Sequence, residues 1–220
     1  MVDNAQDPAV TKSISRRWPI LSASVGIIAA VLLGLIIFIR GNTPFEADAE
    51  WMEEILEHRN PVWELPSLVM NYVGGGWVSF AIPLVVVGIL LVMRRFWAAL
   101  FFAIALGVSP LIVQLLKGLF DRPRPEEILV AADLGSFPSG HSANAATLAV
   151  ALGFIIWRWW VWAAGAVWVV AMMLSRTYLG AHWISDTIGG VLLGIAVAVI
   201  VWAPFAEKLR VERTSRQAGR

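Results

Sequence analysis

Three short stretches of the sequence concentrate the residue types that can do chemistry on an anion. The first holds Lys117, Arg122 and Arg124; the second is Pro138-Ser139-Gly140-His141; the third runs from Ser175-Arg176 through His182 to Asp186. Lysine and arginine carry fixed positive charge and many N–H donors, the recognition chemistry of a phosphate. Ser139, with the backbone amides of a helix start beside it, adds further anion contacts. His182 and Asp186 are four residues apart and share a face on a helix. A carboxylate bonded to one ring nitrogen sets the tautomer and leaves the other nitrogen to attack. His141 follows a tight Ser-Gly turn with no carboxylate at helical spacing, a place suited to a proton donor for a leaving oxygen. Alone, a His-x3-Asp pair reads as a structural hydrogen bond. Beside several cations and a second histidine, it reads as a nucleophile and the group that orients it.

The elements that must position these residues are membrane helices. Of 220 residues, 58% are hydrophobic and 15% charged, with a mean hydropathy of +0.71, whereas a soluble domain is nearer half apolar and a quarter charged. Crossing about 30 Å of hydrocarbon takes about 20 apolar residues per helix. Six stretches approach that standard, at 18–40, 75–93, 96–116, 141–157, 159–174 and 187–204. They must be helical because unpaired amides are too costly in lipid, and no ten-residue alternation of a barrel strand is present. Arg158 separates the fourth and fifth so tightly that they must form a hairpin, and Pro83 and Pro110 fall inside spans. The fold expected is therefore all-α, a polytopic membrane protein built as a six-helix bundle. A net charge of +1 with dispersed basic residues excludes nucleic acid as a partner, and the absence of cysteine excludes disulfides, thiolate nucleophiles and cysteine-ligated metal.

Orientation follows from the retention of lysine and arginine on the cytoplasmic side. An inside amino terminus keeps Lys12, Arg16, Arg17, Arg94, Arg95, Arg158, Lys208, Arg210, Arg213, Arg216 and Arg220 in the cytoplasm, eleven of seventeen. It sends Arg40, Arg59, Lys117, Arg122, Arg124 and Arg176 outward, against the usual bias and therefore for a reason. The organisation expected is a cytoplasmic segment at 1–17, a six-span domain at 18–204 and a cytoplasmic tail at 205–220, polar enough from 207 to be disordered. The first span reads as retained, because its apolar run is longer than a signal core and Ala47-Asp48-Ala49 lies too far beyond it for a cleavage site. Within 42–73, Trp51, Met52, Ile55 and Leu56 recur at helical spacing among glutamates, the pattern of an extracytoplasmic interfacial helix. Gly74-Gly75-Gly76 then reads as a flexible entry to the second span.

Taken together, the three stretches resemble the signature of the type 2 phosphatidic acid phosphatases, the PAP2 family: Lys-x6-Arg-Pro, Pro-Ser-Gly-His and Ser-Arg-x5-His-x3-Asp. Here these are Lys117 to Arg124-Pro125, Pro138 to His141, and Ser175-Arg176 to His182 and Asp186. The resemblance implies a core shared with vanadate haloperoxidases and a hydrolase needing no metal or cofactor, in which Lys117, Arg124, Ser139, Gly140 and Arg176 hold the phosphoryl group. It further implies that His182 attacks, Asp186 orients it, and His141 protonates the leaving group, through a phosphohistidine that water hydrolyses. Arg122 stands outside the signature as an auxiliary residue. Asp121, Glu126, Glu127 and Asp133 do not stand at a recognisable ligand spacing from the histidines.

With six spans, the implied substrate is a lipid phosphate or diphosphate of the bacterial plasma membrane, of the polyprenyl diphosphate, phosphatidylglycerophosphate or phosphatidate class. It would be met at an extracytoplasmic site, with both termini cytoplasmic. A phosphotransferase passing the phosphoryl group to a second lipid would use the same residues. A transporter or anion channel is the reading from another class, opposed by the absence of repeats and by clusters at helix ends rather than at the midplane.

Overall fold

Eight helices make up the described chain, in a computed structural model that describes the backbone of residues 8–131 and 135–218 and the side chains of 18–131 and 135–214. They are α1 (Pro8–Ile39), α2 (Glu46–Glu57), α3 (Pro61–Gly74), α4 (Val78–Val92), α5 (Phe96–Phe120), α6 (Gly140–Ile156), α7 (Trp159–Tyr178) and α8 (Ile184–Ala218). No strand occurs among the described residues. The side chains of Lys12, Arg16, Arg17, Arg216, Arg220 and Asp133 lie outside the described residues.

α8 is the axis of the bundle, packed against α1, α5 and α6, while α6 and α7 form the hairpin that Arg158 demands. The close approach of α6 and α8 depends on missing side chains. A Cβ at Gly190 would collide with the carbonyl oxygen of Ser139, and one at Gly194 with that of Ala143, the small-residue packing by which membrane helices bring their backbones together. One buried apolar cluster, including Phe101, Phe102, Ile155 and Leu209, fills the end near the α6–α7 turn. A second, including Ile37, Val113, Phe120, Phe137 and Leu193, fills the opposite end, where Phe120 and Phe137 meet edge to face at 5.6 Å. The outer surface is apolar too. Val25, Ile28, Leu32 and Ile36 on α1, with Leu111, Leu115 and Leu119 on α5, stand exposed, as the face of a helix in lipid does.

Six spans of equal standing are not what the helices provide. Four are long and apolar enough to cross alone: Trp18–Ile39, Phe96–Phe120, Trp159–Tyr178 and Ile184–Thr214. A fifth arises only if α3 and α4 are one span bent by 59° at Gly75-Gly76-Trp77. α6 has 17 residues, about 26 Å at 1.5 Å per residue, short of the hydrocarbon thickness. Its burial against α5, α7 and α8 makes protein, rather than lipid, its main surroundings. Two further expectations need amending. The region 42–73 is two helices, not one, and the second runs into the Gly74-Gly75-Gly76 break. The tail from 207 is not irregular: α8 continues through Ala218, and Glu212 caps α5 by accepting from the amides of Trp97 and Ala98 at 2.7 and 3.1 Å.

The cations at that end are likewise engaged with the chain. Arg95 donates to the Ile155 carbonyl at 3.0 Å, and the Lys208 ammonium lies 3.4 Å from the centre of the Trp97 ring. Arg94, Arg95, Arg158, Lys208, Arg210 and Arg213 thus gather at the end formed by the start of α5, the α6–α7 turn and the carboxyl-terminal part of α8. The three signature stretches gather at the other.

Candidate active site

Four helix ends and two loops build the site. Lys117 is in the last turn of α5, Ser139 caps α6 and leads into Gly140 and His141, Arg176 is in the last turn of α7, and Asp186 is in the first turn of α8. Arg124 comes from the α5–α6 loop and His182 from the α7–α8 loop. Signature residues from Lys117 to His182, 65 positions apart, thereby line one cavity of about 900 Å³, among them Arg124, Gly140, His141 and Arg176. The cavity continues between α4 and α5 along Phe80, Leu84, Val87, Leu106 and Leu111, so a cationic end gives onto an apolar channel.

Two of the cations are held by backbone carbonyls and a third by a side chain. Lys117 Nζ donates to the Gly135 carbonyl at 2.7 Å; Arg124 donates to the carbonyls of Ala181 at 2.7 Å and Gly135 at 3.0 Å. Arg176 donates to the side-chain oxygen of Asn71 on α3. Pre-positioned donors of this kind stabilise charge that develops on a transferring phosphoryl group without reorganising.

His182 is buried with its two nitrogens facing different groups. Nε2 lies 3.4 Å from an Arg124 nitrogen, toward the cations, and Nδ1 lies 3.6 Å from Asp186 Oδ2. The second distance exceeds a hydrogen bond, and such contacts tighten when a site is filled. Asp186 is itself fixed, since Oδ2 accepts from the Trp183 amide at 2.9 Å and Oδ1 from Arg122 at 2.5 Å. Burial, and then the positive charges of Arg176, Arg124 and Lys117, hold the His182 imidazole well below the usual histidine pKa of 6.5, opposed by the Ser136 carbonyl. These effects favour the neutral ring.

His141 lines the same cavity and its Nε2 is 3.3 Å from the Asn71 carbonyl. The turn at Gly75 packs on this ring: a Cβ there would lie 2.7 Å from His141 Nε2. Ser139 and Arg122 are placed differently from the rest. Ser139 is wholly buried, its hydroxyl accepting from the Ser142 amide at 3.4 Å and its amide donating to the Asp186 carbonyl at 3.0 Å. It ties α6 to α8 at the helix start. Arg122 is buried behind Asp186, bonded to it, to Asp48 and to Ser185. Asn71, Gly75, Asp48 and Ser185 all serve the site, and no spacing pattern marks them, because their partners lie far away in the chain.

A model of the PAP2 superfamily matches residues 96–210, more than half of the chain and all three signature stretches. The chain belongs to the PAP2 superfamily. It is 31% identical over 147 residues to phosphatidylglycerophosphatase B of Bacillus subtilis, covering 61% of this chain and 72% of that one. It is 38% identical over 118 residues to Escherichia coli YbjG, whose name assigns it provisionally as an undecaprenyl-diphosphatase, covering 49% of this chain and 58% of that one. The crystal structure of the Bacillus subtilis transmembrane PAP2-type phosphatidylglycerolphosphate phosphatase superposes with a TM-score of 0.74 over 85% of this chain and 96% of that one, at 24% identity. This PAP2 protein is accordingly a membrane lipid phosphatase rather than a transporter or channel.

Proposed function

We propose that this PAP2 phosphatase hydrolyses a lipid phosphate or diphosphate at the outer face of a bacterial plasma membrane through a phosphohistidine on His182. The observation that carries the reading is that His182 Nε2 faces Arg124 in a cavity also lined by Lys117, Arg176 and His141. Nε2 forms the bond to phosphorus as the bond to the lipid oxygen breaks, and that oxygen takes its proton from His141. Lys117, Arg124, Arg176 and the start of α6 at Gly140 bear the charge on the equatorial oxygens, with Ser139 setting the helix start. Water then attacks phosphorus as the bond to Nε2 breaks, its proton passing to His141, which releases phosphate and restores both histidines.

The apolar channel between α4 and α5 suits a substrate whose chains stay in the bilayer while its headgroup reaches the cations. Among lipid phosphates, a polyprenyl diphosphate is the favoured substrate, with phosphatidylglycerophosphate and phosphatidate as the other classes. Sidedness rests on the cations Arg94, Arg95, Arg158, Lys208, Arg210 and Arg213 at the bundle end opposite the site.

The deciding experiment incubates the purified protein with each of these lipids in chelator and measures released phosphate, alongside acid-labile labelling from a 32P-substrate. Phosphate release in chelator and a label lost in His182→Ala are expected. Activity abolished by chelator and restored by magnesium, or a label surviving in His182→Ala, defeats the mechanism.

A further inference from the structure

Behind His182 a ring of buried groups joins three distant parts of the chain. The Arg122 guanidinium lies between two carboxylates, 2.8 Å from Asp48 Oδ2 on α2 and 2.5 Å from Asp186 Oδ1 on α8, with its side chain fully buried. Ser185 closes the ring: its hydroxyl donates to Asp48 Oδ2 at 2.7 Å and accepts from Arg122 at 2.8 Å, and its amide donates to Asp48 Oδ1 at 2.9 Å. Asp48 is 1% exposed.

Arg122 and Asp186 already balance each other, so a second buried carboxylate is a cost that stability alone does not explain. Its effect is on charge. One guanidinium and two carboxylates carry a net charge of −1, and the only member facing His182 is Asp186, 3.6 Å from Nδ1. Without Asp48, Arg122 would pair with Asp186 alone and cancel the charge that the histidine meets. Phosphorylation at Nε2 of a ring that keeps its Nδ1 proton makes that ring cationic. Lys117 on α5, Arg124 in the loop after it and Arg176 on α7 all face the same ring with positive charge, and His141 on α6 shares the cavity. A full negative charge at Asp186 is what offsets them.

We propose that Asp48 is a positioning residue for the reaction, engaging Arg122 from α2 so that Asp186 keeps its charge and its orientation toward His182. This rests on the reading of His182 as nucleophile. It gives Arg122 a role on the orienting carboxylate rather than on the phosphate, and gives the extramembrane helix α2 a role in the chemistry.

The test uses the full chain purified in detergent, with Asp48→Asn, Asp48→Glu, Asp186→Asn, the double variant Asp48→Asn/Asp186→Asn and His182→Ala, an aryl phosphate as substrate, and vanadate as probe of the anion cavity. Asp48→Asn is expected to lower kcat by about 10- to 100-fold, the scale of losing a group one step behind a working histidine. Its KM and vanadate inhibition should move by less than about threefold. The acid limb of its kcat/KM profile should shift to lower pH, because losing a nearby negative charge makes the ring harder to protonate. Asp48→Glu should fall between it and the parent. In the Asp186→Asn background the same change should cost little, since Asp48 acts through Asp186.

Wild-type kcat in Asp48→Asn, additive losses in the double variant, or vanadate inhibition weakening in step with kcat would overturn the proposal. If Asp48→Asn does not fold, Asp48→Glu is judged by the same kcat and vanadate criteria. Turnover surviving in His182→Ala defeats the nucleophile reading itself. An inactive His182→Ala beside a fully active Asp48→Asn defeats only the role of Asp48.

Discussion

His182 and His141 reach one cavity from different elements and keep different neighbours, so their loss should be felt differently. On the proposed mechanism, His182→Ala removes the nucleophile and is expected to abolish turnover of every substrate, whatever its leaving group. His141→Ala removes a proton donor, and a diphosphate or aryl phosphate should therefore lose less than a lipid monophosphate, whose alkoxide leaves poorly. Equal losses across leaving groups in folded His141→Ala would take the acid role from it. The pH profile belongs to the same scale. Burial and three cations lower the His182 pKa, so the neutral ring persists to lower pH than in an ordinary histidine, and the acid limb of kcat/KM should lie below 6.5. A bound phosphate offsets the cations, which raises the pKa in the complex; the acid limb of kcat should lie above that of kcat/KM. The reverse order of limbs would contradict the arrangement of charges around the ring.

The contact between α6 and α8 sets the distance between His141 and Asp186. The Ser139 amide bonds the Asp186 carbonyl at 3.0 Å, and one turn further on Gly190 lies against the Ser139 carbonyl. Gly190→Ala places a methyl group against backbone that cannot rotate away, so a loss of about 1–3 kcal/mol of stability, accompanied by reduced kcat, is expected. Gly88 on α4 has open space around it, and Gly88→Ala should be neutral or gain about 0.5–1 kcal/mol from helix propensity alone. Thermal unfolding in detergent compares the pair; Gly190→Ala as stable and active as Gly88→Ala would show that the α6–α8 register is not held at this contact.

Across the whole molecule, the cations that the proposed orientation sends outward, against the positive-inside bias, are engaged with the chain. Arg59 donates to the carbonyls of Glu127 at 2.8 Å and Tyr178 at 3.3 Å, and Arg40 lies 5.1 Å from the centre of the Phe45 ring. Lys117, Arg122, Arg124 and Arg176 are the site and its support. These charges are held by protein, and the proposed orientation rests on the cations at the other end. Single cysteines at Glu126 and Arg158, both exposed and at opposite ends of the bundle, should therefore behave oppposite to one another in intact cells: an impermeant thiol reagent labels the first and spares the second. Labelling of Arg158→Cys with silence at Glu126→Cys would turn the molecule over and place its chemistry in the cytoplasm.

Composition and apolar run length were enough to specify a helical membrane protein, because the cost of unpaired amides in lipid leaves no other solution at these lengths. The signature residues were legible too, since Lys117 to Arg124, Pro138 to His141 and Arg176 to Asp186 each sit within a short stretch of chain, although Arg124 and His182 lie in loops beside the helix ends, and His182 does not share a helix with Asp186. Span boundaries were less so. α6 stops at 17 residues and α3 breaks into α4 at Gly75, because burial against other helices relaxes the length that lipid would impose. What surrounds the reacting groups was decided only by tertiary structure. Asp48 meets Arg122 across 74 positions, and Asn71 meets Arg176 across 105; no periodicity reaches that far, and an aspartate in an acidic surface helix has no local mark of being buried. Packing of α2 and α3 over the end of the bundle makes these partners, and it places the Asp48–Arg122 pair behind Asp186 and His182.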